Sequence, residues 1–88
     1  MATVQILSEF NGEQRQVAGY EEVSVYTAIG FLNHTVSVWL FENEQNHPDA
    51  QMVDTTYEIN GKTHHTRTIV SVDKKEIIGQ FWLEFPQW

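Results

Sequence analysis

Apolar and polar residues alternate along most of this chain, and two Asn-Gly pairs, Asn11-Gly12 and Asn60-Gly61, interrupt the alternation. An Asn-Gly pair between β-type stretches is a strong hairpin signal, because a type I′ turn needs positive φ at both central residues. With Asn60-Gly61 as a two-residue loop, Ile59 faces Lys62, Tyr57 faces His64, Thr55 faces Thr66 and Val53 faces Thr68. On the other side of the pleat Met52 faces Ile69 and Asp54 faces Arg67, an acid opposite a base as cross-strand energetics favour. A second tight turn at Lys74-Lys75 would set Val72 against Ile77, Val70 against Gly79, Thr68 against Phe81, Thr66 against Leu83 and His64 against Phe85. The two hairpins then share a strand. One face gathers Val53, Tyr57, Ile59, Val70, Phe81, Leu83 and Phe85. The other gathers Asp54, His65, Arg67, Gln80, Trp82 and Glu84. A one-residue slip would scramble that separation. The pattern predicts a three-stranded antiparallel meander from about Gln51 to Phe85.

In the N-terminal half, pairing about Asn11-Gly12 places Ile6 opposite Val17 and Ser8 opposite Arg15. Val23, Val25, Ile29 and Phe31 alternate around Thr27, and their β-branched content favours a strand; a short helix from Glu21 to Leu32 is the competing reading. The run HTVSVWLFEN alternates again, with Val36, Val38 and Leu40 on one face and Trp39 and Phe41 on the other. A strand apolar on both faces must meet a second sheet or another molecule. The polar segment Glu42 to Gln51 contains His47-Pro48, which disfavours continued strand, and reads as the one long connection.

These readings describe a single domain over residues 1–88. It is all-β, or β-rich with at most one short helix, with six to seven antiparallel strands as a small sandwich or barrel. A C-terminal three-stranded meander is part of it. A chain of 10.2 kDa has a folded surface of roughly 5,300 Å². One standard interface of about 800 Å² is therefore what it can carry besides its own core.

Charge narrows the partners. Twelve Asp and Glu against five Lys and Arg give a net charge of −7, which repels phosphate backbones and argues against nucleic acid. The same charge suits a protein partner with a basic surface. No run is long enough to span a membrane. The stretch MATVQILSEF has neither the basic nor the apolar region of a secretory leader, and there are no cysteines. A reducing, cytoplasmic location is the expectation, and disulfides, thiolate nucleophiles and Cys-held metals are excluded.

Candidate chemistry is sparse. His64 and His65 are adjacent, so on a strand they point to opposite faces and do not share a metal. His47 and Asp49, either side of Pro48, fall short of the three or four ligands that zinc takes. No nucleophile elbow, phosphate cradle or catalytic carboxylate cleft is recognisable. The expectation is no catalytic residue, no cofactor and no metal: not an enzyme. The aromatic residues are the remaining signal. Trp82 falls opposite Arg67 in the predicted register, a cation–π arrangement. The segment QFWLEFPQW sends Phe81, Leu83 and Phe85 into the core by alternation, and leaves Trp88 beyond Pro86 with no such explanation. Trp and Arg dominate interface hot spots, so Trp39, Phe41, Arg67, Trp82 and Trp88 are the candidate partner-binding residues.

Three functional classes fit. The first is a non-enzymatic protein-binding module, of adaptor or inhibitor type, acting through an acidic and aromatic surface. The second is a self-assembling structural subunit, as of a virion or other symmetric assembly, which would make the chain a homo-oligomer. The third is a binder of a small ligand or carbohydrate.

Overall fold

The computed structural model describes residues 2–86. The elements run β1 (Ala2–Phe10), β2 (Glu13–Val23), α1 (Val25–Glu42), β3 (Ala50–Asp54), β4 (Tyr57–Ile59), β5 (Lys62–His64), β6 (Thr66–Ser71) and β7 (Glu76–Glu84). Five strands form one antiparallel sheet in the order β2-β1-β7-β6-β3, and β4 and β5 pair as a separate two-stranded ribbon. Both Asn-Gly pairs make the expected turns, with left-handed φ of 56° and 77° at Asn11 and Gly12 and of 53° and 76° at Asn60 and Gly61.

The β-rich antiparallel fold and its seven strands stand, but the barrel does not. The sheet is open, and the layer against it is a helix. The segments read as strands around Val23–Phe31 and Val36–Phe41 are one 18-residue helix, reaching well past the helix alternative at Leu32. Alternation misled because the same apolar residues also recur at helical spacing. Ala28, Leu32 and Val36 lie four apart and are fully buried, and Ile29, Phe31, Trp39 and Leu40 flank them. Ser24 caps the first turn by accepting the Thr27 backbone N–H at 3.1 Å. Asn43 closes the last turn, its backbone N–H donating to the Trp39 carbonyl at 3.0 Å and its side-chain amide donating to the same oxygen at 2.8 Å. The β-branched residues that favoured a strand are outweighed by the need of a one-sided sheet for an apolar cover.

Around Asn60-Gly61 every predicted pair is present, from Ile59–Lys62 and Tyr57–His64 to Val53–Thr68, Asp54–Arg67 and Met52–Ile69. The β6–β7 register differs by two residues beside the turn, where Val70 meets Ile77 rather than Gly79, and by one residue beyond the bulge. Arg67 lies opposite Phe81, Thr68 opposite Gln80 and Thr66 opposite Trp82. Two local features cause the shift. The turn is a four-residue Val72–Lys75 loop closed by Ser71–Glu76 rather than a tight Lys74-Lys75 turn, and a bulge next to Ile69 leaves Ile78 unpaired. A similar irregularity in β2 leaves Val17 unpaired, so Ile6 meets Ala18 while Ser8 meets Arg15 as predicted.

The shift regroups the faces. Ile6 pairs with Leu83 and Ser8 with Phe81 on the helix side, where Arg67 and Ile69 join them. Val4, Ile6, Ile69, Phe81, Leu83 and Phe85 pack with α1 into the core. Glu9, Gln80, Trp82, Thr66, Thr68 and Val53 therefore share the opposite, uncovered face.

Candidate functional site

The five predicted site residues do not converge. Trp88 lies outside the described residues. Arg67 is only 5% exposed. Its Nε donates to Asn33 Oδ1 at 2.9 Å. Its Nη1 donates to the Thr66 carbonyl at 2.9 Å, to Thr56 Oγ1 at 3.1 Å and to Asp54 Oδ1 at 3.2 Å. This is a buried guanidinium satisfied within the chain, and it joins the helix, the sheet and the β3–β4 connection. It shares a sheet face with Asp54, as expected, and not with Trp82.

Trp39 and Phe41 sit on opposite sides of α1. Trp39 is half-buried, stacked on Phe10 with ring centroids 5.2 Å apart and against His47 at 5.7 Å. With Phe10, Val17, Val38 and Phe81 it lines a mostly apolar groove of about 330 Å³ beside the helix. Phe41 points to solvent and is 79% exposed, as is Tyr26 at 87%.

Those two rings mark the ends of a strip that the sequence reading missed. Tyr26, Gly30, His34, Ser37 and Phe41 recur at helical spacing along the exposed side of α1. The helix contains no Lys, Arg or Asp, and its single Glu is its last residue. In a chain of net charge −7 this is an uncharged surface about 22 Å long. Nothing lies within 4 Å of where a side chain at Gly30 would begin. The signal was present in the sequence as the lack of charge from Ser24 to Phe41, but reading those residues as two strands divided it between faces.

Trp82 lines a different site. On the uncovered face of the sheet a cleft of about 310 Å³ is lined by the aromatic residues Trp82 and Tyr57, by Thr55, Thr66 and Thr68, and by Glu9, Gln14 and Gln80. Gln80 Nε2 donates to Glu9 Oε2 at 3.2 Å. The threonine hydroxyls are bonded to one another. Beyond Tyr57 the ring of His64, its predicted cross-strand partner, stacks on it with centroids 5.0 Å apart.

Titratable groups have structural partners. The Asp49 carboxylate accepts bonds from the Ser71 hydroxyl and the Asp73 N–H, and these hold its pKa below the ordinary value. The Thr56 N–H at 2.9 Å from Asp54, and then the Thr56 hydroxyl, lower Asp54 likewise, with the Arg67 charge contributing less. Burial, and then the nearby Arg67 charge, lowers His65. Among the described residues no three His, Asp or Glu side chains are grouped to hold a metal, and no helix is long and apolar enough to cross a membrane.

Comparison with protein-family models, with curated proteins and with solved structures gives no match.

Proposed function

We propose that this chain is a non-enzymatic protein-binding module whose contact surface is the exposed side of α1 with the adjoining Val17–Val38–Trp39 groove. The observation that carries the reading is the pair of solvent-facing rings, Tyr26 and Phe41, bracketing a charge-free helical strip on an otherwise acidic protein. Exposed aromatic residues on an uncharged patch supply the apolar area and desolvated anchors that interfaces use. Acidic groups elsewhere raise solubility and steer association toward partners that are not themselves acidic.

A second reading, self-assembly, is favoured by one feature of the same strip. In an antiparallel pair of helices centred between Asn33 and His34, Tyr26 meets Phe41 of a second copy and Gly30 meets Ser37, so large residues close the ends and small ones the crossing. Light scattering over a wide concentration range separates the two readings. The Tyr26→Ser/Phe41→Ser double variant should keep the wild-type Tm within about 2 °C, since both side chains are exposed, and lose partner capture. Loss of a dimer in that variant assigns the strip to a second copy. Retention of both mass and captured partner removes α1 from the interface.

A further inference from the structure

We propose that the cleft on the uncovered face of the sheet is a binding site for an organic cation, a guanidinium or alkylammonium group held between Trp82 and Tyr57. It lies on the other side of the sheet from α1 and does not depend on the role given to that helix.

The chemistry follows from the direction of the hydroxyl chain lining the cleft. Thr66 Oγ1 lies 2.7 Å from the Thr55 carbonyl oxygen. A carbonyl only accepts, so the single Thr66 hydroxyl hydrogen is directed there. The 2.6 Å contact between Thr55 Oγ1 and Thr66 Oγ1 must then have Thr55 as donor. That in turn makes Thr68 the donor in the 2.9 Å contact between Thr55 Oγ1 and Thr68 Oγ1. All three hydrogens are committed in one sense, and the hydroxyls offer only lone pairs to a ligand. Gln80 gives an N–H to Glu9 Oε2, which leaves the other carboxylate oxygen and the Gln80 carbonyl as further acceptors.

A site of this kind discriminates by charge and by donor count. No Lys, Arg or His is among its lining residues, and the net charge of −7 opposes phosphates and carboxylates. A neutral saccharide needs donors and acceptors in comparable number, and with the hydroxyls unable to donate only the Gln14 and Gln80 amides, the Tyr57 hydroxyl and the Trp82 indole N–H are left to serve its acceptors. A guanidinium or ammonium brings only N–H donors, matches the Glu9 carboxylate, and is attracted to the faces of Trp82 and Tyr57. A volume of about 310 Å³ is at the small end of ligand pockets and suits one cationic head with its aliphatic stem.

The test is a titration of ¹⁵N-labelled protein followed by its amide and indole N–H resonances. The probes are N-acetyl-arginine amide, putrescine, N-acetyl-glutamine amide and maltose. Saturable shifts at Thr68, Gln80 and the Trp82 indole with a cationic probe, absent with acetyl-glutamine amide, are the expected result. Binding of the arginine derivative alone identifies a side chain of a basic partner as the source, and binding of putrescine as well identifies free amines. Glu9→Gln, which keeps the bond from Gln80, and Thr68→Val should each weaken binding tenfold or more. Should Thr68→Val not fold, Glu9→Gln decides. The proposal is overturned if maltose produces those shifts and the cations do not, if no probe gives a saturable shift, or if Glu9→Gln binds as tightly as the parent.

Discussion

Asn33 on the helix accepts a hydrogen bond from Arg67 Nε at 2.9 Å, so a helix side chain orients the buried arginine of β6. Replacing Asn33 by Ala should cost about 1.5–3 kcal/mol, the usual value of a bond to a charged group. In a chain of this size that is a fall in Tm of about 6–20 °C. Arg67→Ala should cost more than about 3 kcal/mol, since it removes the whole network and opens a cavity. Asp54→Asn should cost under about 1 kcal/mol. Its side chain is 63% exposed in the 3.2 Å pair with Arg67, and solvent screens that attraction. Urea denaturation of the three variants checks the order; an Asp54 effect as large as that of Arg67 would reverse it.

Gly79 is held to its identity by Phe10, its cross-strand partner. A Cβ at Gly79 would lie 2.3 Å from two carbons of the Phe10 ring, and that ring also stacks on Trp39. Gly79→Ala should therefore destabilise by about 1–3 kcal/mol, as overpacking does, and should change Trp39 emission. Combining it with Phe10→Leu should recover part of the loss, which a double-mutant cycle measures directly.

Acidification should weaken the fold in two stages. His65 has a folded pKa below its unfolded value of about 6.5, so its contribution is present above that pH and is lost as the pH falls through the folded pKa. Asp49 and Asp54 are lowered in the same sense. Their contribution is present above about pH 3.9 and is lost through their lower folded values. Tm measured from pH 8 to pH 2 should show both declines. His65→Gln should remove the first stage, and Asp49→Asn should reduce the second.

Gly30 separates stability from recognition. It sits in an exposed helix interior, where Gly costs about 1 kcal/mol relative to Ala, and a Cβ there meets nothing within 4 Å. Gly30→Ala should raise Tm by about 5 °C. If α1 is the contact surface, the same variant should weaken partner binding, because a methyl group would stand where a partner approaches. A gain in stability with unchanged binding would place the interface elsewhere.

The parts of the fold that were legible in the sequence are those fixed by local chemistry. Asn60-Gly61 sets the turn and its parity, and Asp54 and Arg67 then fall opposite each other without further information. The β6–β7 register was not legible in the same way. Lys75 adopts a left-handed φ of 54° although nothing in Lys74-Lys75 signals it; the longer turn keeps the parity, and the bulge at Ile78 changes it. That one step moved Arg67 to the core face while Trp82 stayed on the face opposite Phe81 and Leu83, and dissolved the predicted Trp82–Arg67 pair. The helix was hidden because Val36, Trp39 and Leu40 satisfy both periodicities, and only the tertiary demand for a cover on the sheet decides between them. The Asn60-Gly61 register did bring Thr55 and Thr66 together, but the cleft also needs Trp82 and Gln80 of β7 and Glu9 of β1, which no local motif connects to them.

Strand β1 lies next to β7 at the centre of the sheet, and the residues that pair there, from Gln5 with Glu84 to Phe10 with Gly79, are about seventy positions or more apart. During synthesis the β1–β2 hairpin and α1 emerge long before the strand that completes their core. Until β7 arrives, Leu32 and Val36 face a half-built sheet. Contacts so distant in sequence slow folding, and the nascent chain passes through an interval in which its apolar surfaces are open to neighbours.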